Sequence, residues 1–316
     1  MKCLPFFILL LSSAALQAQH PSYYSSRPLR EPVMFAEGSI CTGDYDTHPS
    51  FSPGTDTLFF VKCAPDFSTW TIVVSYFKQG QWSTPEVAPF SGKYMDADPF
   101  FTKDGKTLFF ISNRPLSNEG PPKDFDIWKV EATPQGWSAP IHLEAPINSN
   151  KDEYYPTMAD NGTLYFGSGR DGGKGNTDIY RCPLENGQYR QAENLGDNIN
   201  TADDEYEPFI APDERYLIFM ATRPNTAKGD LFLSYRRNGQ WTPAERLPAP
   251  FNSEKSEYSP KVTRDNKYFF FSSTRNKLTG TPARQENAAA LYQRLHSAGN
   301  GLGDIYYVDL EQLHLK

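Results

Sequence analysis

One pattern recurs five times along the chain, and in each copy a carboxylate stands three residues before a proline. The copies read DTHPSFSPGTDTLFFV, DADPFFTKDGKTLFFISNR, EYYPTMADNGTLYFGSGR, EYEPFIAPDERYLIFMATR and EYSPKVTRDNKYFFFSSTR. Their anchors are Pro49, Pro99, Pro156, Pro208 and Pro260, spaced by 50, 57, 52 and 52 residues. A period near 50 residues means a ring or array of one supersecondary unit.

Each unit predicts four strands. The first follows the proline, and a turn such as Asp104-Gly105 or Asn161-Gly162 leads into the second. The second is aromatic and β-branched (LFFI, LYFG, LIFM, YFFF). The third opens on an acid (DIWKV, DIYRC, DLFLS, DIYYV), and the fourth on an aromatic after glycine, as at Trp82, Trp137, Tyr189 and Trp241. Four antiparallel strands repeated around an axis make a propeller blade. The expected fold is therefore an all-β, five-bladed β-propeller of four-stranded antiparallel blades. The fifth unit lacks its own fourth strand, and the segment Pro32 to Ile40 reads as the strand that completes it. Such closure removes an exposed sheet edge.

Aromatic and proline content (18 Tyr, 22 Phe, 26 Pro) suits many short strands and turns. A formal charge of −7 argues against a nucleic-acid partner. At the N-terminus, Lys2, an apolar run from Leu4 to Leu11 and the small residues after it read as a secretory signal over 1–19. Residues 20–316 then form one exported domain, periplasmic or secreted, with no membrane span. Beyond the signal lie Cys41, Cys63 and Cys182, an odd number. They read as buried small hydrophobes, with a Cys41–Cys63 disulfide as the alternative. No spacing suggests zinc, and no cofactor is expected. The acidic run Asp197 to Glu207 is a candidate Ca²⁺ loop, but it lacks calcium-loop spacing and reads as a solvated turn.

Strand topology predicts which polar residues share a face. The acids Asp46, Asp96, Glu153, Glu205 and Glu257 start the innermost strands and are expected to ring the channel mouth. Arg114, Arg170, Arg223 and Arg275 end the second strands on that face, and Asp126, Asp178, Asp230 and Asp304 start the third. A residue type repeated in every blade reads first as a structural bridge. Function is expected where the symmetry breaks. In the first unit Ala64 replaces the arginine and His48 precedes the proline, so Asp46 is expected to lack a guanidinium partner. Asp98 and Glu207 add second carboxylates, and Tyr154, Tyr206 and Tyr258 add aromatic faces. The insert of the fifth unit reads as a helix over about 281–299, starting at Thr281-Pro282, with Ala288, Leu291, Tyr292 and Leu295 on one face. It is expected beside the first blade.

The units resemble the TolB-type propeller repeat family in their acid, proline, Asp-Gly, apolar strand ending in arginine, and Gly-Asp-Ile-Tyr. The resemblance covers about residues 44 to 310, with the first unit departing from it. It implies the propeller fold and leaves activity open, since that group includes periplasmic interaction proteins, gating domains of prolyl peptidases and a lyase propeller. No Gly-x-Ser-x-Gly elbow is present. The leading expectation is a protein that binds a peptide, protein or glycan at the acidic mouth, through the acids, tyrosines and arginines named above together with His48. The alternatives are a glycoside hydrolase or lyase, with candidates Asp46, His48, Asp96, Glu153, Glu205 and Glu257, and a scaffold in an envelope assembly.

Overall fold

The computed structural model describes residues 20–117, 119–224, 226, 228–280 and 285–316. The proposed signal segment and the Thr281-Pro282 helix start lie outside these residues. Five antiparallel sheets form the expected five blades. Their inner strands are Tyr45–Phe51, Asp96–Phe101, Glu153–Met158, Glu205–Ile210 and Glu257–Val262. The fifth sheet is completed by Val33–Met34, which pairs with Asp304–Asp309 and closes the ring with a short N-terminal strand. In the first, second and fourth blades the outermost strand is split into two dipeptide pieces, both paired to the third strand.

Both faces of a blade pack on neighbouring blades, so the second strands are apolar without alternation. Leu58, Phe60, Phe110, Phe166, Phe219, Phe269 and Phe271 are fully buried. Trp82 packs against Phe51 of its own blade, and Trp137 against Phe101 of its own blade and Phe59 of the first, which bridges the two. Each of the fully buried phenylalanines contributes roughly 1.5–3 kcal/mol on burial.

The acid before each proline is a latch between the inner strand and the loop that delivers it. All five acids are 0% exposed. Asp96 accepts from Arg114 Nη2 at 2.6 Å and from Ser91 Oγ at 2.8 Å. Glu153 pairs with Arg170, Glu205 with Arg223 and Glu257 with Arg275, and each also accepts from a Ser or Thr four residues upstream. Asp46 indeed lacks a guanidinium, but it is not unpaired. Lys62 Nζ lies 2.6 Å away, and Thr42 donates through its N–H and hydroxyl. Burial pushes the carboxyls of Asp46, Asp96, Glu153 and Glu205 upward, while these cations and donors pull them back.

Cys41, Cys63 and Cys182 are free thiols, so the Cys41–Cys63 alternative does not hold. Cys41 is instead built into the last blade, its sulfur bonding both the N–H and the carbonyl of Ile305. The insert helix, α1, spans Ala288–Leu295, capped by Asn287. It is shorter than expected, and Leu291, Tyr292 and Leu295 are exposed, while Leu295 shares a cavity wall with Gly43, Lys62 and Ala64 of the first blade, as expected. The loop after it reaches the first blade, where Asn300 Nδ2 donates to Gly43 O.

Removing one partner of a buried ion pair strands the other. Arg114→Ala is expected to lose about 3–5 kcal/mol of stability in urea unfolding. The double variant Asp96→Asn/Arg114→Met should lose clearly less, since no charge is left unpaired.

Candidate functional site

A regular inner strand of a propeller shows the channel only its backbone edge. Here every inner strand is bulged at the residue–proline pair, where the register slips: His48-Pro49, Asp98-Pro99, Tyr155-Pro156, Glu207-Pro208 and Ser259-Pro260. Proline is tolerated because this is an edge strand and needs no ladder N–H. The residue before each proline has a left-handed backbone, with φ values of 56°, 55°, 50°, 53° and 54° in chain order. L-residues adopt that conformation at a cost of roughly 1–3 kcal/mol each. Bulges re-aim side chains, and these five meet across the channel axis.

His48 Nε2 lies 3.2 Å from Asp98 Oδ1 and 3.2 Å from Glu207 Oε1, joining the first, second and fourth blades. His48 Nδ1 is 2.8 Å from Thr47 Oγ1. The other carboxylate oxygens accept backbone N–H groups of the remaining ring members: Asp98 Oδ2 from Tyr155 at 2.9 Å, and Glu207 Oε2 from Ser259. The Tyr155 hydroxyl donates to the Pro260 carbonyl across the ring. Burial holds the Asp98 carboxyl up at about 6, against the pull of His48. Burial pushes the His48 imidazole down, but Asp98 and Glu207 more than reverse this and leave it raised.

This cluster floors a mouth cavity of about 730 Å³. Tyr45, Phe67, Trp70, Tyr154, Tyr206 and Tyr258 line it, with Lys228 and Lys255 also in the wall. Trp70 stacks on Phe125 at 4.9 Å, and Tyr154 meets Tyr206 edge-on at 6.3 Å. Asn300 and Gly301, beyond α1, complete the lining.

Of the residues expected at the mouth, the structure brings together His48, Asp98, Glu207, Tyr154, Tyr206 and Tyr258. It places Asp46, Asp96, Glu153, Glu205 and Glu257 in their buried latches instead, with Arg114, Arg170, Arg223 and Arg275 turned onto them. His48 is on the axis, not at a seam with α1. Tyr155 and Ser259 were missed, although one signal marks them. The residue just before the proline is different in all five copies, whereas the position two residues earlier is always an acid. In the candidate Ca²⁺ segment, Asp197 pairs with Lys174, Asp204 accepts from Asn176 and Thr177 N–H groups, and Glu205 is latched.

No model of a known protein family and no curated protein matches the sequence. Solved structures do. TolB from Acinetobacter baumannii is 15% identical with a TM-score of 0.46, over 82% of this chain and 53% of that one. An α-L-arabinofuranosidase from Lactobacillus brevis is 12% identical with a TM-score of 0.47, over 85% and 91%. Kuenenia stuttgartiensis hydrazine synthase is 11% identical with a TM-score of 0.51, over 85% and 41%. The chain thus spans about half the length of the TolB structure. Identities this low show the propeller fold alone.

On the same face, the third-strand acids are tied down in different ways. Asp126 meets His142, Asp178 meets Asn194 and Asp230 meets Arg246. Among the described residues, Asp304 has only the Gly299 N–H on one oxygen, and its Oδ1 has no partner. Burial raises its carboxyl to about 7. An unfolded carboxyl ionises near 4, so between these values the folded state binds more protons and stability falls as pH rises. Asp304→Asn should remove that loss. Its melting temperature is expected to match the parent at pH 4 and to exceed it by a few degrees at pH 8.

Proposed function

We propose that this chain is an exported propeller that binds a donor-rich ligand, a peptide or a glycan, in the mouth cavity. The observation that carries the reading is the floor of that cavity. There two carboxyl groups share one imidazole, so acceptor oxygens outnumber the donors that satisfy them. Hydroxyl or amine groups of a ligand supply the missing donors. The tyrosines above offer flat faces for stacking on a sugar ring or a peptide side chain. Backbone strain gathered at one ring of residues is typical of sites held ready for a ligand. Export rests on the apolar run behind Lys2, and no helix among the described residues is long and apolar enough to cross a membrane.

Glycan and peptide arrays probed with the 20–316 chain test this, followed by calorimetry on the hits. Glu207→Gln and Tyr154→Ala are each expected to weaken binding about tenfold, near 1.4 kcal/mol. Full-strength binding in both variants, or no array signal, overturns the mouth assignment.

A second reading, a glycan-active enzyme, is favoured by Asp98 alone. It keeps its proton to about 6 in the same cavity as Glu207, and glycoside cleavage needs two carboxyls in unequal environments. The pair would be Asp98 and Glu207, not the latched acids. Turnover of an aryl-glycoside panel that disappears in both Asp98→Asn and Glu207→Gln would establish it.

A further inference from the structure

A second cavity, of about 500 Å³, opens on the far side of the ring, among the turns that join the first and second strands. Its walls are the ends of the inner strands, with Phe51, Phe101, Phe209, Ile210 and Val262. Three cations line this apolar space: Lys103, which pairs with Asp160, and the two others, Lys261 and Arg264. Among the described residues, neither of these two has a carboxylate within ion-pair distance. The Lys261 ammonium lies 4.2 Å from the Tyr155 ring centre and 5.0 Å from that of Phe100. Arg264 gives one N–H to the Phe101 carbonyl. Two acids also line the cavity and are already engaged: Asp160 with Lys103, and Asp104 with the Thr102 hydroxyl and the Lys106 N–H.

A cation at the inner end of an apolar cavity, without a counter-ion of its own, is half of a recognition site. We propose that this cavity is a second ligand site, which takes a small organic carboxylate with an apolar body. The carboxylate pairs with Lys261, the hydrocarbon lies along the phenylalanines, and Arg264 stands as the second lining cation without an acid partner. The volume suits a small molecule. Burial lowers the Lys261 amine to about 7, against the more distant attraction of Asp98 and Glu207, with His48 and Tyr155 as its other ring neighbours. An incoming anion restores the charged form. This site does not depend on what the mouth binds.

Calorimetry with octanoate at pH 6.5 tests the proposal on the 20–316 chain. One octanoate per chain is expected, with octan-1-ol at least tenfold weaker. Lys261→Met should weaken octanoate at least tenfold and Arg264→Gln about threefold, while Lys255→Ala, at the mouth, leaves it unchanged. Absence of binding, equal binding of the alcohol, or a loss in Lys255→Ala in place of Lys261→Met overturns it. Should Lys261→Met fail to fold, acetylation of the unaltered chain gives the same decision. Octanoate is expected to shield Lys261 from acetic anhydride, as read by peptide mass spectrometry, and equal labelling of Lys261 with and without octanoate overturns the site.

Discussion

The buried carboxylate at the head of each inner strand ties three separate pieces of chain together. It holds a cation from the second strand, a hydroxyl from the preceding loop and, through its own backbone, the start of the inner strand. Its burial makes the arrangement all-or-nothing, because an unpaired charge there costs several kcal/mol. With the strand head fixed, the bulge two residues later has a fixed position relative to the axis. The left-handed residue in that bulge is strained, and the closed ring of packed blades supplies the constraint that holds it.

Five-fold repetition separates two kinds of residue. Latch positions keep their chemistry and vary only in its means. Asn148, Asn200 and Asn252 each bond both backbone groups of a third-strand residue, Ile127, Ile179 and Leu231. In the last blade the thiol of Cys41 bonds Ile305 in the same way. Lys62 likewise stands in for an arginine at Asp46. The pre-proline positions keep only the backbone shape and vary freely in side chain. Identical geometry with different chemistry is what a pseudo-symmetric ring needs to recognise an asymmetric object.

The period, the four-strand unit and the closing strand were all legible, because they rest on local turn chemistry and apolar patterning. The acid–arginine bridges were legible too, since one residue type recurring at one position invites a bond. His48, Asp98 and Glu207 stood out as breaks in symmetry, but the reason they meet did not. Alternation along a strand puts residues on one face or the other of a sheet. Only the bulge turns Tyr155 and Ser259 toward the axis, and a bulge leaves no mark in hydrophobic pattern. The apolar face of α1 was legible as a pattern, but its exposure was not. Leu291, Tyr292 and Leu295 share a face, yet periodicity does not say whether anything covers it.

The ring also divides the channel electrostatically. Asp98 and Glu207 face the mouth cavity, while Lys261 faces the other, and the same two carboxylates act on the Lys261 amine from beyond contact distance. In a low-dielectric interior such interactions reach further than in water. Substituting Asp98 or Glu207 by a neutral residue removes an attraction that keeps Lys261 charged, so the ring sets the proton affinity of both cavities together.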